Sequence, residues 1–304
     1  MQTRPIGTLN VSIVGLGCNN FGNRLPGYEA SARVIHAALD AGINFFDTAD
    51  IYGSTKSEEY LGRALKDRRG EAIIATKFGN KIDEERQGAH PDYVKRAAED
   101  SLRRLGVETI DLYQLHVPDP NTPIADTLGA LHDLVAAGKV REIGCSNFSV
   151  EQLREAEAAA GSGPRFVSVQ NHYNLFEADA EKAVLEECAR TDTAYLPFFP
   201  LARGLLTGKY RLGQPLPDSA RIQGMQSSDI LTEANLLKVE KLIQFAESKG
   251  HTVLELAFAW LLYKPVIASV IAGAMTPEQV NANAAAAAWQ MSGEDYAAIN
   301  AIMK

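Results

Sequence analysis

The sequence predicts an α/β fold, a (β/α)8 TIM-type barrel formed by residues 1–304 as a single domain. Two observations predict it. Eight short apolar runs rich in β-formers alternate with longer segments of helical period, and no shift of composition marks a linker between them. With 304 residues and 46% hydrophobic content the chain can bury one large core. Strand and helix repeated eight times in ~250 to 300 residues is what a closed barrel requires. A doubly wound open sheet is the alternative, because periodicity along one chain does not report closure.

Taken in order, VSIVGLG (11–17) is the first strand, followed by the helix SARVIHAALDAG (31–42). In that helix Val34, Ile35, Ala38 and Leu39 share one face, and Gly42 serves as the C-cap. INFFDTA (43–49) is the second strand and SEEYLGRALK (57–66) its helix; EAIIATKFG (71–79) leads to PDYVKRAAEDSLRRLG (91–106). TIDLYQLH (109–116) precedes PIADTLGALHDLVAAG (123–138), and EIGCSNF (142–148) precedes VEQLREAEAAAG (150–161). FVSVQNHYN (166–174) precedes EKAVLEECAR (181–190). After TAYLPFFPL (193–201) two helical stretches follow, 234–250 and 253–262, and SVIAGA (269–274) is the eighth strand.

A net charge of −8 and a pI near 5.4, with the charges spread along the chain, argue against a nucleic-acid partner. Three cysteines, Cys18, Cys145 and Cys188, show no CxxC or Cys/His spacing, so neither a disulfide framework nor a zinc site is expected. His36, His90, His132 and His251 lack ligand spacing and His172 is isolated; no metal is expected. MQTRPIGTLN has no apolar core of a signal peptide, and no run reaches the ~18 to 20 apolar residues of a membrane span. A soluble, cytoplasmic protein is the expectation, with a monomer as the default state.

In such a barrel the loops leaving the C-terminal strand ends build the active site. The second strand runs through NFFDTADIYGST into Asp47 and Tyr52, the third ends near Lys77, and the fourth ends at His116. Four ionisable groups thus converge on one rim. Asp50, between Asp47 and Tyr52, is expected to serve in loop hydrogen bonding.

Seven stretches in order, FFDTADIYG, IIATKFG, DLYQLHVPD, GCSNF, VQNHYN, FFPLARGLLTGKY and IAGAMTPEQVNAN, span nearly the whole chain and resemble the aldo-keto reductases. The resemblance implies an NAD(P)(H)-dependent carbonyl reductase, with a catalytic tetrad of Asp47, Tyr52, Lys77 and His116. The chemistry makes those identities intelligible. A carbonyl that accepts a hydride at carbon needs a proton at oxygen, and Tyr52 is the candidate acid. A phenol titrates near ~10; an ammonium ~4 Å away, at effective ε ~20, favours the phenolate by ~4 kcal/mol, or ~3 pKa units. Lys77 is therefore expected to tune Tyr52, with Asp47 holding Lys77 and His116 orienting the carbonyl.

For the cofactor, the same resemblance assigns Ser146, Asn147 and Gln170 to the nicotinamide carboxamide and Phe198 to stacking on the ring. Core packing is the alternative for Phe198. Leu201, Gly204 and Leu205 would present backbone to the pyrophosphate with Lys209 adding charge, and Gln279 and Asn283 match the adenine contacts. The glycines of GLGCNNFG do not form GxGxxG, since residue 20 is asparagine, and belong to the loop after the first strand. Two departures stand out: Phe199 replaces the serine common after the stacking aromatic, and Met275 and Thr276 replace a hydroxyl and a cation often found in NADPH-binding relatives. Arg221 resembles a basic residue that holds the 2′-phosphate in some relatives, or is a solvated loop arginine. On balance NADP(H) is favoured, with NAD(H) still open.

The long segment 203–231 is expected to fold over the dinucleotide and the segment 80–91 to overhang the substrate, with Asn20, Phe21 and Phe78 as pocket walls. The substrate is expected to be a small-molecule carbonyl compound. The rival from another class is a cofactor-sensing regulatory subunit of the same fold, as in channel-associated β subunits.

Overall fold

The chain begins as a hairpin rather than as a barrel strand. In the computed structural model, which describes residues 1–178, 182–217 and 230–304, β1 (Thr3–Ile6) pairs antiparallel with β2 (Leu9–Ser12), in register from Thr3 opposite Ser12 to Ile6 opposite Leu9. The expected strand 11–17 is therefore two elements, since β3 (Val14–Gly17) alone enters the barrel. The switch lies at Ile13. Its N–H donates to the Gln2 carbonyl at 3.0 Å, and Asn44 Oδ1 takes the Ser12 N–H at 2.7 Å. Apolar patterning continues unbroken across this switch, so the sequence alone does not mark it.

The barrel continues through β4 (Phe45–Asp47), β5 (Ile73–Phe78), β6 (Ile110–Leu115), β7 (Val140–Ser146), β8 (Phe166–His172), β9 (Ala194–Phe198) and β10 (Val270–Gly273). Among the described residues eight parallel strands lie in the order β10, β3, β4, β5, β6, β7, β8, β9. Closure between the two ends is by a short bridge. Tyr195 N–H donates to Val266 O at 2.8 Å and Ala268 N–H to Tyr195 O at 3.1 Å, just before β10.

Helices α1 (Tyr28–Asp40), α2 (Lys56–Leu65), α3 (Pro91–Leu105), α4 (Ile124–Ala136), α5 (Val150–Ala160) and α6 (Lys182–Thr191) each follow a strand. Then come α7 (Glu233–Ser248) and α8 (Val253–Leu262), both between β9 and β10, and after β10 α9 (Pro277–Ala286) and α10 (Gly293–Met303). Their limits are set by local chemistry. Capping boxes Ser149/Gln152 and Thr252/Glu255 start α5 and α8, and Gly106 at φ 65° ends α3. The start of α9 uses Thr276 as N-cap with Pro277 at the first turn.

Two apolar cores result. Inside the barrel Phe45, Ala75, Leu112, Leu196 and Ile271 pack with Ile6, Leu9 and Val11 of the hairpin, which plugs the N-terminal mouth. Each such buried Leu, Ile, Val or Phe side chain contributes ~1.5–3 kcal/mol. The larger core lies between the strands and the surrounding helices. With the lower mouth plugged, the open end is the C-terminal rim. Among the described residues no helix is long and apolar enough to cross a membrane.

Candidate active site

The rim brings the four ionisable residues together. Asp47 ends β4, Lys77 lies on β5, His116 directly follows β6, and Tyr52 sits in the turn after β4. Lys77 is fully buried, and its Nζ donates to Asp47 Oδ2 at 2.7 Å and to the Thr48 carbonyl at 2.9 Å. The same ammonium lies 5.2 Å from the centre of the Tyr52 ring. Asp47 is held in turn: Gln170 Nε2 donates to its Oδ1 at 2.9 Å and Gln114 Nε2 at 3.3 Å. His116 meets the Tyr52 ring edge-on with centroids 5.8 Å apart.

Burial and charge act against each other here. Burial pushes the Tyr52 phenol above its ordinary value; the Lys77 ammonium pulls it back and Asp47 works against that pull. The net direction is upward, which corrects the expectation that Lys77 would carry the phenol toward its phenolate. Lys77 does pull toward the phenolate, but desolvation of the buried phenol is the larger effect. For Lys77 burial favours the neutral amine, but Asp47 and Tyr52 outweigh it and hold the ammonium charged. His116 is driven down to about 3 by burial and by Lys77, so it is neutral at physiological pH, and its buried Nδ1 has no hydrogen-bond partner among the described residues.

Asp50 is buried, and its backbone N–H donates to the Lys77 carbonyl at 3.0 Å. Its carboxyl is pushed up to about 7 by burial and by Glu58. Gly53 holds the turn that presents Tyr52. It adopts φ 56°, and an added Cβ would stand 2.2 Å from the Phe21 carbonyl oxygen. Gly53→Ala is accordingly expected to cost at least ~2 kcal/mol from the left-handed backbone and the displaced loop. Chemical denaturation checks it, and an unchanged midpoint would show that the turn yields freely.

A cleft of about 1030 Å³ opens over these groups. Asp47, Tyr52 and His116 line it, whereas Lys77 lies behind them. Of the residues assigned to a cofactor, Ser146, Asn147, Gln170, Phe198, Leu201, Gly204, Lys209, Gln279 and Asn283 line the same cleft. Ser146 Oγ donates to the Gln170 carbonyl at 2.7 Å, and Asn147 Nδ2 donates to the His116 carbonyl at 3.0 Å, so these side chains are fixed by neighbouring strand ends. Leu205 is fully buried and its side chain packs in the core. Arg221 lies outside the described residues.

Of the expected pocket walls Asn20 lines the cleft, but Phe21 and Phe78 do not. Both are completely buried in the strand–helix core, where Phe78 stacks on Tyr113 at 4.7 Å. The reason is alternation along the strand: with Lys77 turned toward the barrel interior, Phe78 must face the helices. The segment 80–91 also folds elsewhere. Gly88 N–H returns to Gly79 O at 2.9 Å and Ala89 N–H donates to Asp119 Oδ2 at 2.8 Å, so it covers the loop after β6 and not the cleft.

Two cations that the sequence reading did not single out, Arg24 and Arg203, join Lys209 on the cleft wall. Their signal was positional, since each sits in a loop leaving a C-terminal strand end. An aromatic face at Phe198, three cations and the amides of Gln279 and Asn283 lining one cleft fit an anionic ligand with ring systems. Among the described residues no group of three or more side chains could hold a metal ion.

The description of the aldo/keto reductase family matches residues 13–304. "Aldo-keto reductase YhdN" of Bacillus subtilis is 34% identical over 97% of this chain and 91% of its own. "Aldo-keto reductase yakc [NADP(+)]" of Schizosaccharomyces pombe is 34% identical over 86% and 79%. Among solved structures, the glycerol dehydrogenase AKR11B4 from Gluconobacter oxydans superposes with a TM-score of 0.88 at 34% identity, covering 99% of this chain and 95% of that one. The holo form of aldo-keto reductase AKR11C1 from Bacillus halodurans gives 0.82 at 29% identity, covering 100% and 97%.

Proposed function

The chain belongs to the aldo/keto reductase family and is an oxidoreductase; from that premise we propose that it interconverts a small-molecule aldehyde or ketone with the corresponding alcohol, with NADP(H) favoured over NAD(H). The observation that carries this reading is the buried Lys77 ammonium, held by Asp47 and facing a phenol that opens on the cleft beside a neutral His116. A reduced nicotinamide, when bound, supplies the hydride. Tyr52 then gives its proton to the oxygen that becomes an alkoxide, and the upward direction of its pKa keeps that proton in place until it is needed. Lys77 stabilises the phenolate left behind. His116, being neutral, donates its one N–H to the carbonyl oxygen without adding a charge that Lys77 would oppose.

Ser146, Asn147 and Gln170 would hold the carboxamide, Phe198 the ring face, and Lys209 with Arg203 and Arg24 the phosphates. Gln279 and Asn283 would bound the adenine. The reading is supported by the fit of this cleft and by the relative named for NADP(+). A turnover screen of aldehydes, ketones and sugars with NADPH and NADH, and of polyols with the oxidised cofactors, tests it; polyols are included because a similar structure is a glycerol dehydrogenase. No loss of nicotinamide absorbance with any carbonyl class and no gain with any polyol would sink the proposal.

The 2′-phosphate preference is assigned to Arg221 on the resemblance alone. One charge-assisted contact is worth ~1.5–3 kcal/mol, or about 10- to 150-fold. NADPH is expected to bind tighter than NADH by that order, and Arg221→Ala to erase the difference. Equal affinities in the unmodified protein, titrated by fluorescence, would rule this out.

A further inference from the structure

Four of the six histidines have partners of their own. His36 meets the Ala64 carbonyl, His90 accepts the Asp92 N–H at the start of α3, His132 meets the Pro164 carbonyl, and His251 stacks on Trp289. His116 belongs to the cleft. His172 has no part in the reading above, yet its surroundings are specific. It closes β8 directly opposite Phe198, which closes β9. The two rings lie parallel, 8° apart in plane with centroids 5.3 Å apart. Phe199 meets both edge-on, at 5.6 Å from His172 and 5.4 Å from Phe198.

The hydrogen bonds fix the form of the imidazole. Asn174 Oδ1 accepts the Phe176 N–H at 2.9 Å, and its Nδ2 donates to the Phe199 carbonyl at 3.0 Å. Flipping the amide would lose both bonds, so the group facing His172 Nε2 at 3.2 Å is a donor. Nε2 must therefore accept, and the proton is on Nδ1.

We propose that His172, as the neutral Nδ1–H tautomer, is a positioning residue that braces Phe198 from behind and sets the plane on which the nicotinamide ring stacks. The inference rests on the reading that Phe198 carries that ring. Phe198 stands at a strand end on the wall of an open cleft, where an unbraced aromatic would sample several orientations. The parallel His172 ring removes that freedom, and Asn174 ties the brace to the backbone of the next residue, Phe199. Protonation at Nε2 would set a donor against the Asn174 donor and loosen the brace.

The charged groups bearing on the imidazole are Glu177, which favours protonation, and Arg203, which opposes it; with burial as the largest cause, the net direction is below the usual histidine range. Cofactor affinity should therefore hold at neutral pH and fall on acidification as the imidazole takes its second proton.

The experiment titrates NADPH by fluorescence from neutral pH down to ~5 against the unmodified protein, His172→Phe, His172→Ala and Phe198→Ala. The 2′-phosphate itself titrates near ~6, so the ratio of His172→Phe to unmodified protein is read at each pH. His172→Ala is expected to bind about 3- to 10-fold more weakly at neutral pH, the scale of an aromatic pair. His172→Phe keeps the stack, so its neutral-pH affinity stays within about 3-fold while its additional loss in acid disappears. Nitrogen NMR of the unmodified protein should show an unprotonated Nε2. A protonated Nε2 at neutral pH, full affinity in His172→Ala, or a ratio independent of pH would overturn the proposal. If Phe198→Ala binds as tightly as the unmodified protein, the stacking reading itself is wrong.

Discussion

Tyr52→Phe is expected to lower the reductive turnover number by ~10²–10⁴ while leaving the dissociation constant for NADPH within about 2-fold. The substitution removes one oxygen atom from the cleft and leaves Ser146, Asn147, Gln170 and Phe198 in place. If Tyr52 is the acid, chemistry collapses and binding does not, and that split also separates a catalyst from a cofactor-sensing subunit. The pH dependence adds a second check. Burial raises the phenol and His116 is held at about 3, so neither group changes protonation across the neutral range. With cofactor and substrate saturating, the reductive rate should be flat between pH ~5 and ~9 and decline only in alkali. A limb near ~6.5 would point to a second titrating group, a histidine or the buried Asp50 at about 7. Lys77→Met removes the cation and should move the basic limb of alcohol oxidation further upward. A Tyr52→Phe protein with half its activity would mean that the acid lies elsewhere.

Asp47→Asn is expected to destabilise the fold by ~3–5 kcal/mol near neutral pH, because it leaves the fully buried Lys77 ammonium without its counter-ion. The sign with pH follows from linkage. In the unmodified protein the folded Lys77 pKa is raised, so its stabilisation is complete below the unfolded value of ~10.4 and is lost as pH rises through the folded value. Without Asp47 its main support is gone, burial dominates, and the folded pKa drops below the unfolded one. The variant then gains stability as pH rises between those two values. The deficit should be largest in mild acid and narrow toward pH ~10, which denaturant titration at several pH values reads directly. A deficit under ~1 kcal/mol, or one that widens with pH, would show that Lys77 is not the buried charge that Asp47 serves. Activity should fall with it, since Gln170 and Gln114 also anchor on Asp47 Oδ1.

Much of the site was legible because barrel geometry turns linear position into place. Asp47, Lys77 and His116 stand at or beside the ends of consecutive strands, and parallel strands put those ends on one rim. Phe78 is core and not pocket wall, and the clue lies in strand alternation, since a residue adjacent to an inward Lys77 faces outward. Phe21 offered no such clue: its side chain is core and its carbonyl packs on Gly53, a contact between two loops. Arg24 and Arg203 were visible as loop cations, but their meeting with Lys209 in one cleft was not.

The order of the barrel strands and helices, the family resemblance and the identity of the four rim residues were legible along the chain, because periodicity, caps and short motifs are properties of neighbours in sequence. The hairpin that plugs the barrel, the outward turn of Phe78, the parallel His172–Phe198 pair and the direction of the Tyr52 pKa emerge from packing in three dimensions. Each of these is a balance among groups distant in sequence. For Tyr52 the cost of desolvation grows with every atom packed around the phenol, while the pull of Lys77 comes from one charge, and the fold sets which is larger.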